Sequence, residues 1–426
     1  MIRKVKKGIY ALYLNATLKL HGLFGDSSRH FLCIIGYLHP NYQNFSTRAI
    51  LWLENCVKYK VMTLTQGCES VTYSPQTISN KLNINKIVVP PVNVYKFNDA
   101  TVNVQDSSIL IPNGVVVDDV LGFEAKTGMA NYADGLLKIH NGSTATVRLN
   151  ESEEFDSALF LGGNGSYNYY HFLIEILPKL QYLPEIINMA GKVPILVNRI
   201  VNDISSFSKL LNAAMHNIDA ELISLEPKKT YRIKHCYYLS NVNGLVFNFR
   251  SKIKDMLPPP PHSFFRQDAL DYIKNIGISL LKNTNREQIF HDQLPKKIFL
   301  GRKNIRRTFN QNEVYEVFKR RGYEMIFMED YCIEDQIRFF QNAECIAGST
   351  GAAWTNLVFC EQKAKCLCWM DEIISWLSVF PNLAKYSGVD LRYIFFTSGA
   401  KINELYRAPY EINIRELETT VETLKM

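Results

Sequence analysis

The chain has 426 residues, of which 47% are hydrophobic and 21% charged, with a formal net charge of +7. That length exceeds one ordinary core and fits two domains, and the balance is that of a folded globular protein, which excludes a disordered or fibrous one. The positive charge is modest and no nucleic-acid recognition motif accompanies it, so it favours small anionic ligands or an anionic membrane surface over nucleic acid.

The opening stretch, MIRKVKKGIYALYLNATLKLHGLFG, has a basic head and an apolar part broken by Asn15, Thr17 and Lys19. It reads as a first helix and not as a signal peptide. The alternative is an amphipathic segment leaning on an anionic membrane. No apolar run reaches the roughly 18 residues that a spanning helix needs. Nine cysteines, odd in number and without CxxC spacing, read as buried thiols of a reducing compartment. The triplet at Asn141 carries little weight as a glycosylation signal if the chain is never exported.

Residues 85–160 read as short strands: KIVVPPVNVYKF, SSILIPNGVVVDDVLGF and TATVRLN. Asp118 and Asp119 in this stretch read as a turn. SALFLGGNGSYNYYHFLIEILPKL then predicts a strand, a Gly/Asn/Ser loop and a helix. VPILVN, a helix near 203–216 and HCYYLSNVNGLVF repeat the alternation, which predicts a parallel α/β sheet. The run Pro258 to Pro261 cannot be helix interior or central strand. It marks a linker over 258–262 between an N-terminal domain, 1–257, and a C-terminal domain, 263–405.

Beyond the prolines the rhythm is cleaner. FFRQDALDYIKNIGISLL reads as a helix, KKIFLGRK as a buried strand, and NQNEVYEVFKRRG as a helix ended by Gly322. YEMIFME, ECIAG and AKCLCWM read as strands, CIEDQIRFFQNA as a helix, and STGAAWTNLVFC as a loop entering a helix. This is the pattern of a doubly wound domain. The segment 406–426 predicts a last helix that packs back onto either domain.

Three stretches carry candidate chemistry. In NYYHFLIEILPKL, helical spacing lines up His171, Glu175 and Lys179 beside an apolar stripe. A carboxylate four residues after a histidine can orient the imidazole or tune its basicity; the alternative is a polar helix edge. In IFLGRKNIRRTFNQNE, Arg302, Lys303, Arg306 and Arg307 follow a buried strand, where guanidiniums can clamp a diphosphate. The alternative is a solvated basic loop, with Asn310 or Asn312 capping the next helix. In ECIAGSTGAAWTNLVF, small residues lead from a strand into a helix start, a place for phosphate at the carboxyl end of a sheet. The alternative is a tight turn with Ser349 or Thr350 as the cap.

In this order and spacing the three stretches resemble glycosyltransferase family 61 over about residues 158 to 370. Asn168, His171 and Glu175 match the family's Asn-x-x-His helix with its acid. Arg302, Arg307 and Asn310 match its arginine-rich turn. Gln336, Gly348, Gly351, Ala352 and Asn356 match its glutamine helix and its Gly-x-His-Gly-Ala-x-x-x-Asn turn. Two positions depart from the pattern: Thr350 stands where the family has histidine, and Gln311 where it has glutamate.

The resemblance implies a GT-B-like architecture, two doubly wound Rossmann-like domains facing a cleft. It further implies an inverting, metal-independent transferase with no cofactor beyond its nucleotide-sugar donor, by default UDP-linked. The acceptor would be a glycan or lipid-linked glycan, in bacterial capsular or surface polysaccharide synthesis, in the cytoplasm or at the inner face of its membrane. His171 and Glu175 are then the candidate catalytic residues, with base and orienter unassigned. Arg302, Arg307, Thr350, Gly351 and Ala352 are the candidate diphosphate contacts, and Asn168, Asn310, Gln336 and Asn356 support them. The rival readings are a non-catalytic carbohydrate-binding protein that keeps the fold, and a phosphate-handling hydrolase or phosphotransferase.

Overall fold

In this computed structural model the described residues are 45–80, 82–118, 129–130, 135–140, 142–150, 152–244, 249–250, 263–282, 294–303, 306–361, 363–400, 405 and 407–426, with 16, 19, 20 and 23 as isolated positions. The expected first helix, Asp119, Asn141 and the proline run lie outside them apart from those isolated positions. The chain divides into two compact units. The first comprises Met1–Cys68, Pro90–Ile204 and Met215–Pro261; the second comprises Glu69–Val89, Ser205–Ala214 and His262–Met426.

The first unit is built on an 11-stranded sheet. Its strands are β1 (Phe45–Trp52), β2 (Lys60–Thr65), β3 (Val92–Val102), β4 (Ile109–Ile111), β5 (Gly114–Val117), β6 (Leu137–His140), β7 (Thr144–Arg148), β8 (Ser152–Phe160), β9 (Ile195–Asn198), β10 (Leu222–Leu225) and β11 (Thr230–Leu239). They lie in the order β10-β9-β8-β11-β3-β4-β5-β1-β7-β6, with β2 paired to β3. Only β8 to β11 form the expected parallel array, with helical segments joining β8 to β9 and β9 to β10 and the short loop 226–229 leading into β11. β11 pairs antiparallel with β3, and β3, β4 and β5 form a meander. The doubly wound expectation is therefore corrected for this unit to a mixed sheet. The reason is connection length: β4 and β5 are joined by only Pro112 and Asn113, which permits a hairpin but no crossover helix.

Within the parallel part, counting strands as the chain meets them, the order is 3-2-1-4. The direction of winding reverses between β8 and β11, the first and fourth of these. Crevices at the carboxyl ends of strands at such a reversal are where open α/β sheets take their ligands.

The second unit holds a five-stranded, all-parallel sheet: β12 (Lys297–Leu300), β13 (Glu324–Ile326), β14 (Cys345–Ser349), β15 (Lys365–Asp371) and β16 (Asp390–Phe396). The order β13-β12-β14-β15-β16 is 2-1-3-4-5, so here the reversal falls between β12 and β14. The doubly wound expectation holds in this unit. Helices Gln267–Lys282, Gln311–Lys319, Ile333–Asn342 and Val379–Ser387 follow the expected segments. Phe299, Phe318 and Trp369 pack together in a fully buried core, and burying one such ring is worth about 2–3 kcal/mol. The last helix, Ile414–Leu424, packs onto its own unit, with Leu417 and Val421 in the same core as Val314 and Val317. Asp118 is no solvated turn residue: it is buried just after β5 and accepts a hydrogen bond from Tyr238 at 2.8 Å.

Candidate functional site

Each unit places its chemistry at its own winding reversal. In the first unit the chain leaves β8 through Gly162, Gly163 and Gly165 and enters a helical rod. The rod is not the uniform α-helix that the spacing predicts. It runs as an α turn at Tyr169–His171, a π segment at Phe172–Ile176, a 3-10 stretch at Leu177–Tyr182 and an α-helix at Leu183–Ala190. Pro178 is the local cause. It has no N–H for the carbonyl of Ile174, and its ring crowds that carbonyl. Asn243 supplies the missing donor, its Nδ2 lying 2.9 Å from the Ile174 oxygen. A π segment of this kind commonly marks a functional position.

Asn168 caps the rod, its side chain accepting from the Tyr170 N–H at 2.9 Å. His171 Nδ1 lies 2.7 Å from Glu175 Oε2, and both side chains keep a small exposed surface, 15% and 13%. The expected pairing is therefore present, and the π segment preserves it. Glu175 Oε1 is buried and has no hydrogen-bond partner among the described residues. Gly165 sits directly against the imidazole with φ +70°, and a Cβ there would lie 2.5 Å from His171 Cδ2.

Lys179, the third member of the expected polar line, does not reach water. It is 3% exposed, donates to the Leu239 carbonyl at 3.1 Å and lies over the Tyr238 ring, 5.0 Å from its centroid. Burial lowers its pKa to about 8, against the opposing pull of Asp118 and Glu175. Sequence reasoning placed this residue on the line but gave it no role. Its signal was a lone cation between Pro178 and Leu180 in an apolar run.

In the second unit Arg302 follows β12 and Arg307 comes five residues later, in the left-handed region at φ +56°. Both guanidiniums turn to one carbonyl, that of Thr350, Arg302 Nη2 at 2.5 Å and Arg307 Nη1 at 3.2 Å. No carboxylate forms an ion pair with either among the described residues, and Glu329 is the weakest of the influences Arg302 feels. Burial first, and then the neighbouring Arg307 charge, lower the pKa of Arg302, although a guanidinium stays charged throughout. Lys303 is engaged elsewhere, paired with Asp330.

Gly351 lies directly under Arg302, and a Cβ there would stand 2.8 Å from Nη2. A 3-10 helix begins at Ala352. Thr350 differs from the expectation of a phosphate donor. It is 3% exposed, its N–H is taken by the Trp369 carbonyl at 2.9 Å, and its hydroxyl bonds the Cys368 thiol. Its contribution is the carbonyl that gathers the two guanidiniums.

The supporting residues turn out to brace the turns. Asn310 occupies the N-cap position of the Gln311–Lys319 helix without bonding that helix's backbone N–H groups. Instead it clasps Ile412 on both sides, accepting at 2.9 Å and donating at 3.0 Å. Gln336 donates to the Met328 and Tyr331 carbonyls and accepts from Asn356 at 3.2 Å. Two further braces were not foreseen. Gln311 bonds the Arg302 backbone, and Tyr410, stacked on Phe396 and Phe309, donates to Ser349 Oγ at 2.7 Å. No group of three His, Cys, Asp or Glu residues among the described residues is arranged to hold a metal ion.

The sequence model of the family described as Glycosyltransferase 61 matches residues 169–367. That span contains every candidate site residue except Asn168. No curated protein matches the chain. Among solved structures, a flavo di-iron protein mutant from Thermotoga maritima aligns at 12% identity over 84% of this chain and 99% of that one, with a TM-score of 0.21. At that score the alignment bears on neither fold nor function.

Proposed function

We propose that this chain, whose residues 169–367 match the glycosyltransferase 61 family model, transfers a sugar from a donor to a glycan acceptor as an inverting, metal-independent enzyme using a nucleotide sugar. In this reading the first unit serves the acceptor and the second the donor, as in a GT-B enzyme. The observation that carries it is the pair of guanidiniums, Arg302 and Arg307, gathered on the Thr350 carbonyl at the 2-1-3-4-5 reversal without a carboxylate partner among the described residues. Two such cations beside the Gly351–Ala352 helix start suit the two phosphates of a nucleoside diphosphate.

The acceptor hydroxyl oxygen attacks the anomeric carbon from the face opposite the leaving group. The bond from that carbon to the phosphate oxygen breaks, and its electrons leave with the diphosphate. Arg302 and Arg307 stabilise the charge that develops there. The hydroxyl proton goes to His171 at Nε2, because Nδ1 is held by Glu175. Glu175 thus orients the ring and stabilises the imidazolium. This assigns the base to His171 and the orienting role to Glu175.

UDP is the proposed nucleotide and a surface glycan or lipid-linked glycan the proposed acceptor, in bacterial capsule or surface polysaccharide synthesis. No helix among the described residues is long and apolar enough to cross a membrane. A cytoplasmic position at the membrane's inner face belongs to the same proposal.

A thermal-shift screen against sugar nucleotides, followed by turnover of the hit in chelator, tests this reading. Transfer that persists in chelator supports it, and transfer that is abolished and restored by Mg²⁺ or Mn²⁺ overturns the metal-independent part. Sugar binding without transfer is the competing reading, drawn from Thr350, whose hydroxyl is turned to Cys368. A donor that binds and never turns over would establish it.

A further inference from the structure

Behind the His171–Glu175 pair lies a second layer of buried charge that the proposed reaction does not use. Lys179 and Asp118 are both nearly inaccessible, and the ammonium feels the charges of both Asp118 and Glu175. We propose that Lys179 and Asp118 are positioning residues that set how tightly His171 holds a proton, Lys179 by its charge on Glu175 and Asp118 by competing for that charge.

The geometry is that of a shared cation. Lys179 has one hydrogen bond among the described residues, to the Leu239 carbonyl at the end of β11, and no carboxylate lies within ion-pair distance of it. It acts on Asp118 and Glu175 through space, where a buried setting screens charge far less than water does. Asp118 is anchored by the Tyr238 hydroxyl at 2.8 Å and a backbone bond from Asn241. Its Oδ1 and Glu175 Oε1 are both buried without a hydrogen-bond partner among the described residues.

Two carboxylates and one ammonium leave this layer with one net negative charge. An imidazolium at His171 cancels it. The layer therefore favours the state that His171 reaches on taking a proton, and the Lys179 charge limits how strongly. Burial raises the pKa of Asp118, which tempers its share.

The other ionisable groups facing the cluster from the described elements are Tyr170 on the rod, Tyr238 on β11 and Tyr95 on β3. Burial raises the pKa of each, so all stay neutral. Asp106, felt by Tyr238, is the one further acid.

The proposal rests on the reading of His171 as proton acceptor only for its consequence in transfer. The test reads the imidazole itself. The full chain is produced with labelled histidine and titrated by NMR, with the His171 signal identified by its loss in His171→Gln. Lys179→Met keeps the length and removes the charge; it should move the His171 midpoint upward by about half a pH unit or more. Asp118→Asn should move it downward by a comparable amount. Tyr238→Phe removes one oxygen that stabilises the Asp118 charge and should give a smaller downward shift, which keeps the test open if the charge variants do not fold.

Opposite signs for the Lys179 and Asp118 variants support the proposal, because general loosening of the fold would not produce them. Shifts of one sign, or no shift, overturn it. A titration of the expected form in a protein that transfers no sugar would leave these positioning roles standing and remove only the catalytic reading of His171.

Discussion

Gln311 and Arg302 hold each other from both sides: the Arg302 N–H donates to Gln311 Oε1 at 2.7 Å, and Gln311 Nε2 donates to the Arg302 carbonyl at 3.1 Å. An amide can make both bonds, and a carboxylate only the first. The glutamine that departs from the family pattern is therefore the residue type this turn needs. Gln311→Glu should cost about 1–3 kcal/mol, the range for leaving a buried partner unsatisfied, measured by urea denaturation. It should also weaken UDP binding by calorimetry. Unchanged stability and affinity would show that the reciprocal pair does not hold the turn.

Arg307→Ala removes one of the two cations gathered on the Thr350 carbonyl. Loss of one charge-assisted contact to a phosphate should weaken UDP or UDP-sugar binding about tenfold or more. Equal affinity in the variant and the parent would take Arg307 out of the donor site.

Glu175→Gln keeps the shape of the side chain and removes the carboxylate that holds His171 Nδ1. Transfer should fall about a hundredfold or more, on the scale of general-base contributions, with donor affinity unchanged. Near-parental turnover would exclude the pair from the proton transfer.

Gly165→Ala tests the seat of the imidazole. The position has φ +70°, and a Cβ would press on the ring at 2.5 Å. The left-handed backbone alone should cost about 1–3 kcal/mol, and displacement of His171 should lower kcat with little change in donor KM. A variant of parental stability and kcat would show that the ring is free to move away.

Asp106 gives a pH signature for the first unit. Burial raises its pKa to about 7, although the Leu137 and Ser108 N–H groups pull the other way. In the folded state the carboxyl thus holds its proton where the unfolded chain has released it. By linkage its stabilising contribution is full below the unfolded value near 4 and is lost as pH rises through about 7. Denaturant melts at pH 5 and pH 8 should show a fall in stability that Asp106→Asn diminishes. An equal fall in both proteins would assign it to other groups.

The second unit was legible because each strand reads as a short apolar run closed by a helix with its own stop, such as Gly322 with φ +80°. The first unit was less so. Val92–Val102 and Gly114–Val117 read as strands, but nothing in them says which neighbour they pair with, since pairing is a long-range choice. The rod at 169–190 misled for a local reason: periodicity reports apolar spacing, and only the carbonyl left by Pro178, taken up by Asn243, shows where the α geometry yields.

By itself the sequence determined the three stretches that carry chemistry, their order, and the residue types within them, because helix spacing and strand-end placement are local properties of the chain. Tertiary structure alone decided what those side chains meet. It turned Lys179 inward to Leu239 and Thr350 inward to Cys368, and it set Arg302 and Arg307 on a single carbonyl. Burial and partners depend on segments distant in sequence, and those are what determine whether a charge is solvated, shared or left to act on a ligand.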